Sequence, residues 1–186
     1  MPDIDSVTFT HHDGQEAARL IGVLSSAYAD AYDVEPSSHK ATAFEERARK
    51  QFDRSGFDLV TAHAANMLVG FAFGYRLKAG DTHWWGGVEP EPYADFLAES
   101  GSRTFVLSEI EVRRTWQSQG IGRRLHDALL GDRPEERATL ATGPDAPAQA
   151  VYEGWGWRKV GRIPGDDGDY LSAYDLFVLP LDFAKP

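Results

Sequence analysis

Apolar positions recur along the chain with two periods, and the switches between them outline the elements. Residues 7–10 read as a short strand. Asp13 stands three residues before Glu16, the spacing at which each side chain can satisfy an orphan amide at a helix start. Ala17, Leu20, Ile21, Leu24 and Tyr28 then fall on one helical stripe. A second, more polar helix is predicted over 41–54, after Pro36. Residues 57–63 and 67–77 read as two strands joined by a tight Ala64-Ala65-Asn66 turn. The stretch 80–103 is a long irregular connection of the kind that often carries function.

The second half alternates more sharply. A strand is predicted over 104–112, and a helix over 120–130 with Ile121, Leu125 and Leu129 at i, i+4, i+8. A short buried strand over 138–141 precedes a helix over 146–155, with Asp145 as its N-cap and Pro147 in its first turn. Two further strands, 157–163 and 174–179, flank an acidic Gly/Asp turn. The order β-α-α-β-β-β-α-β-α-β-β describes an α/β (mixed α+β) fold, a mixed sheet with helices on both faces.

Composition narrows the function. The 186 residues suit one domain, 1–186, and the 42% apolar share can fill its core. A formal charge of −10 is wrong for a protein whose main partner is nucleic acid or an anionic membrane. The absence of cysteine removes disulfides, thiolate metal sites and a cysteine nucleophile together. Six histidines show no metal-ligand spacing, so no metal is expected. The opening Met1-Pro2-Asp3-Ile4-Asp5 lacks the basic-then-apolar layout of a leader, and no apolar run reaches the ~20 residues of a membrane span. A cytoplasmic protein is the expectation.

The most informative segment is Gln117-Ser118-Gln119-Gly120-Ile121-Gly122-Arg123-Arg124, where a strand hands over to a helix. The first amides of a helix lack internal partners, and its dipole places partial positive charge there. Two glycines let a phosphate approach the main chain. Residues 113–125 carry four arginines and no acid. These four cannot all reach one anion, because a helix spreads its side chains; Arg123 is the preferred contact. A dinucleotide fingerprint would need glycine at Leu125, and no G-K-[ST] triplet occurs.

The spacing Q-x-x-G-x-G resembles the motif of the GNAT superfamily of N-acetyltransferases. Leu107-Ser108-Glu109-Ile110-Glu111-Val112 looks like that family's fourth strand, and Asp145-Ala146-Pro147-Ala148-Gln149-Ala150-Val151-Tyr152 begins a segment like its N-x-x-A-x-x-x-Y-x-x-x-G-F run. The match spans about residues 104–160. It implies a central mixed sheet of about seven strands flanked by about four helices, with acetyl-CoA as cofactor. It also implies that Gln117, Ser118, Gln119, Gly120, Ile121, Gly122 and Arg123 hold the pyrophosphate. Main-chain groups at Ile110 and Val112 would hold the thioester and pantetheine, and Asp145 would lie near that arm. Two positions depart from the pattern: Asp145 stands where the family usually has asparagine, and Arg114 where it often has proline.

Acetyl transfer to an amine sets two proton problems. An alkyl amine has a pKa near ~10.4, so at pH 7 only about one molecule in a thousand has a free lone pair. A carboxylate, or a water it holds, can take the proton, and the leaving thiolate benefits from a donor. Glu109 and Glu111 are two apart on a predicted strand and share a face, with Ser108, Ile110 and Val112 on the other. They are the candidate base or water-holder; a salt bridge is the plainer alternative. Tyr152 occupies the family's proton-donor position, against a reading as a core aromatic. Trp84 and Trp85 could wall the acceptor pocket or form a plain lid.

The resulting expectation is direct attack of a primary amine, on a small, cationic acceptor, in a ternary complex. A protein or peptide amine, a non-catalytic acyl-CoA-binding module and a nucleotide-binding α/β protein are the rivals. A homodimer is compatible with the sequence and not implied by it.

Overall fold

Asp13 and Glu16 close the reciprocal cap that their spacing predicts. The Glu16 amide donates to Asp13 Oδ1 at 2.9 Å and the Asp13 amide to Glu16 Oε2 at 3.1 Å. From this cap α1 runs over Gly14–Ala31. The computed structural model describes residues 4–181. The acidic opening Met1-Pro2-Asp3 lies outside them.

Strand β1 (Thr8–His12) precedes α1, and α2 (His39–Arg49) follows it under a Ser38 cap. Next come β2 (Asp58–Ala64), β3 (Met67–Arg76), α3 (Ala94–Leu97), β4 (Thr104–Val112) and α4 (Ile121–Leu130). The chain continues through β5 (Arg137–Thr142), α5 (Ala148–Gly154), β6 (Arg158–Pro164) and β7 (Ala173–Pro180). The strands form one seven-stranded sheet ordered β1-β2-β3-β4-β5-β7-β6. It is mixed: β4 and β5 are parallel, as a helical crossover allows, whereas β2 pairs antiparallel with β1 and β3, and β7 with β5 and β6.

Three details differ from the sequence reading. Helix α2 ends at Arg49, so residues 50–54 are turns. The connection 80–103 holds α3, a single turn too short to show a period. Asp145 does not cap α5. The Ala146 amide bonds back to the Gly143 carbonyl at 3.0 Å, forming a turn, and Pro147 takes the cap position without a side-chain bond.

The chain divides into two compact units, one running up to Tyr75 and including Leu107–Arg133, the other holding Arg76–Val106 and the chain from Pro134 on. In the first, Ile21, Leu24 and Tyr28 of α1 and Phe44 of α2 bury against Leu59, Phe71 and Phe73. Tyr28 and Phe44 stack with ring centres 4.3 Å apart. Gly70 is required by close approach: a Cβ there would come within 2.9 Å of the Glu111 carbonyl and 3.1 Å of Leu125 Cδ1. Its absence lets the end of β4 and helix α4 settle onto β3. Among the described residues no helix is long and apolar enough to cross a membrane.

The second unit is centred on two buried carboxylates. Glu99 Oε1 accepts from Trp85 Nε1 at 2.9 Å, Thr104 Oγ1 at 2.8 Å and Arg137 Nη2 at 2.9 Å. These bonds fasten the 80–103 connection to β4 and β5. Asp175 on β7 accepts from Lys159 Nζ at 2.7 Å, Arg162 Nε at 2.7 Å and Gln149 Nε2 at 3.0 Å. Gln149 belongs to α5, so Asp175 ties that helix to β6 and β7. Burial alone would raise the Asp175 pKa, but the Arg162, Lys159 and Gln149 bonds outweigh it and hold the carboxyl well below the usual range.

A carboxyl held low contributes stability that is present above its unfolded pKa and fades as acid protonates it. Asp175→Asn is expected to lower unfolding free energy at pH 7 by about 1–3 kcal/mol, since it removes a buried acceptor charge from two cations. In urea titrations the gap between variant and wild type should be constant above about pH 5 and narrow progressively as pH falls below about 4. A gap independent of pH would show that the charge on Asp175 is not what holds these elements.

Candidate active site

The last residues of β4 carry the pair that the sequence singles out. Glu109 and Glu111 face α1 and α2, and each meets one group from those helices. Arg47 of α2 places two N–H groups on Glu109 Oε1, Nη2 at 2.8 Å and Nε at 3.2 Å. Tyr32, the C-cap of α1, donates its hydroxyl to Glu111 Oε1 at 3.0 Å. Lys40 of α2 lies over the Tyr32 ring, 3.6 Å from its centre. Ser108, expected on the opposite face, donates to Gln51 Oε1, and Gln51 stands four residues beyond Arg47.

Electrostatics separates the two carboxylates. Burial raises the pKa of Glu109, with the Arg47 charge and hydrogen bonds pulling the other way. Glu111 is driven well above the usual range, first by burial and then by the neighbouring Glu109 charge; the Tyr32 bond opposes this only partly. Tyr32 is raised by burial and by both glutamates, so its hydroxyl stays a donor, and Tyr28 is pushed up to about 12 by burial and Glu109. Glu109 is therefore the partner of an arginine, as the plainer alternative proposed. Glu111 has the Tyr32 hydroxyl as its hydrogen-bond partner in this cluster.

Beyond Val112 the chain makes one 3-10 turn, Arg114–Trp116, anchored by the buried Trp116, and then the glycine turn. Gln117 Nε2 folds back onto the Val112 carbonyl at 2.9 Å, and Gln119 Nε2 onto the Thr115 carbonyl at 2.9 Å. These side chains brace the turn. Ser118 has φ 60° and Gly120 φ 83°, both left-handed, which reverses the chain into α4. No side chain caps α4, and the position of a Cβ on residue 120 is open to beyond 4 Å. Ile121 is buried and fixes the first turn, with Gly122 following it. An uncapped helix N-terminus with open space before it suits a phosphate.

The four arginines of this segment have different partners. Arg113 donates to the Leu68 carbonyl at 2.7 Å and to Ser26 Oγ at 3.1 Å. Arg114 pairs with Asp33 at 2.6 Å, and its amide donates to Asp30 Oδ2 at 2.9 Å, a bond proline could not make. Arg124 reaches the Ile4 carbonyl at 3.1 Å and covers the Phe9 ring. Arg123, the preferred anion contact, pairs with Asp127 one turn on, at 2.9 Å, with both side chains about half exposed.

In the second unit, Tyr152 on α5 meets Trp155 and Trp157 edge-on, with ring centres 6.1 and 6.2 Å away. Val151, the residue before it, is exposed. Asp145 is exposed. Trp84 donates Nε1 to Thr139 Oγ1 at 3.1 Å and is partly exposed, whereas Trp85 is buried at 4% exposure on Glu99.

The sequence did not disclose Tyr32, Lys40 or Arg47. On the polar α2, Lys40 and Arg47 look like solvated charges, and Tyr32 lies just past the helical stripe. The only signal was the glutamate spacing on a strand, which demands a counter-charge from whatever packs there.

The model of the acetyltransferase (GNAT) domain matches residues 29–169. No curated protein sequence matches the chain. A putative acetyltransferase of the GNAT family from Desulfovibrio desulfuricans is similar in structure, with a TM-score of 0.65 and 17% identity over 94% of this chain and 99% of that one. An aminoglycoside 6'-N-acetyltransferase complexed with coenzyme A superposes with a TM-score of 0.61 and 15% identity, over 94% and 97%. The ribosomal-protein-S18-alanine N-acetyltransferase of Escherichia coli gives 0.54 and 18%, over 96% of both chains. At such identities these likenesses speak for the fold. The match to the family model, which covers most of the chain, places the protein in the GNAT acetyltransferase family, whose members use acetyl-CoA.

Proposed function

We propose that the chain is a single-domain, cytoplasmic N-acetyltransferase that moves an acetyl group to a primary amine of a small, cationic acceptor by direct attack. The observation that carries this reading is the run of main chain within one unit: two partly buried carboxylates on β4, then an uncapped glycine turn into α4. One end of it suits an amine and the other a diphosphate. Acetyl-CoA, when bound, supplies an activated acetyl group and a thiolate leaving group. The residues fit that cofactor: main-chain N–H groups of Gly120, Ile121, Gly122 and Arg123 would face the phosphates, with Gln117, Ser118 and Gln119 shaping the turn. Ile110 and Val112 would offer main-chain groups to the pantetheine arm, and Asp145 would border it.

Glu111 takes the proton from the acceptor amine. Its raised pKa is an advantage here, since a base nearer neutrality accepts the proton with less loss than an ordinary carboxylate. Glu109, paired with Arg47, stands beside it and adds to the acidic character that draws cations in. Below the raised Glu111 pKa the base is protonated and turnover falls, so the acid limb of the rate profile lies above the usual carboxylate range. Tyr152 gives a proton to the departing thiolate. Trp84 lines the acceptor side with its partly exposed ring, and Trp85 anchors the loop that presents it.

Three outcomes test this reading. Thiol release from acetyl-CoA should occur with at least one member of a panel of aminoglycosides, polyamines, amino acids and peptides. Tyr152→Phe should slow it about 10²-fold with little change in acetyl-CoA affinity; binding with no turnover across the panel would leave only a CoA-binding module. Gly120→Asp keeps a residue that tolerates the left-handed turn but sets a negative charge at the helix start. It should weaken CoA binding about tenfold or more and leave acetyl-pantetheine, which lacks the diphosphate, unaffected. Equal losses for both ligands would place the diphosphate elsewhere.

A further inference from the structure

Lys40 stands near the start of α2, and its ammonium rests 3.6 Å from the centre of the Tyr32 ring. The hydroxyl of that ring donates to Glu111 at 3.0 Å. The Lys40 charge acts on both Glu109 and Glu111. An alkylammonium of the chain itself therefore already occupies an aromatic face beside the carboxylate pair. Tyr32 remains 43% exposed, so water reaches this residue beside Lys40.

We propose that the Tyr32 ring and Glu111 form a subsite for one alkylammonium, and that Lys40 is an internal occupant which a monocationic acceptor amine displaces. The inference rests on the catalytic reading of the glutamate pair. Charge balance supports displacement of Lys40 and not of Arg47. Glu109 and Glu111 are matched by Arg47 and Lys40. Arg47 is fixed by two N–H groups on a partly buried carboxylate, and its loss would leave that carboxylate without its cation. Lys40 is a compact charge on a flexible four-carbon stem lying on a ring face, a contact that is weak where water reaches it. When it swings away the cluster keeps one negative charge, which suits one incoming ammonium. A second positive charge on the acceptor finds no partner in this cluster, so monoamines are favoured over polyamines.

Propylammonium chloride, titrated into the full chain and followed by the NMR shifts of the Tyr32 ring, tests the site without acetyl transfer. Lys40→Met should bind it roughly three- to tenfold more tightly than wild type, and Lys40→Arg, which keeps the occupant cation, should resemble wild type. In the acetylation assay the KM of Lys40→Met for a monoamine should fall by a similar factor. Propylammonium that leaves Tyr32 unmoved, or binds wild type and Lys40→Met equally, would overturn the proposal and reduce Lys40 to a surface contact. Displacement without turnover by any amine would instead refute the catalytic reading and leave the subsite standing.

Discussion

Two carboxylates two residues apart on a strand cannot both enter a protein interior as unpaired charges; the solvation lost exceeds what packing returns. β4 resolves this by giving its two glutamates unequal partners. Glu109 has a guanidinium with two N–H groups on one oxygen, and Glu111 has a tyrosine hydroxyl. The asymmetry is chemical as well as structural. Both carboxyls are raised by their surroundings, Glu109 against the opposing pull of Arg47 and Glu111 further, by burial and the Glu109 charge. Pairs of acids pushed apart in this way are the usual basis for dividing proton-handling roles.

The same strand end also positions the glycine turn and α4. Gly70 lets the Glu111 carbonyl and Leu125 lie against β3, so β4 and α4 are seated on one residue without a side chain. The turn between them is held by its own glutamines and by a buried tryptophan. All four arginines are held by carbonyls, a serine hydroxyl or carboxylates of the fold, Arg123 by Asp127 one turn on. In the proposed reading, the uncapped amides and the helix dipole would recognise the anion there.

Much of this was legible in the residues. Period and capping spacing marked all seven strands and the four longer helices, and the glycine turn was placed to within a residue. Asp145 was misread as a cap because Asp before a proline-led helix is a common start, and only the bond from Ala146 to Gly143 shows that a turn intervenes. The cluster around Glu109 and Glu111 was half legible: alternation put both on one face, but their partners come from 60–80 residues earlier in the chain, where a tyrosine after a helix and two cations on a polar one carry no local mark. Tertiary packing, which no period records, decides which surface group becomes a carboxylate's partner.

The titration of Glu111 bears most directly on this picture. With 13C-labelled glutamate side chains, the carboxyl signal that disappears in Glu111→Gln can be followed against pH in wild type. Burial beside Glu109 predicts a midpoint well above the ordinary value of about 4.3. A midpoint at or below that value would contradict it, because Glu111 would then be an ordinary solvated carboxylate with no poise to take a proton from an amine.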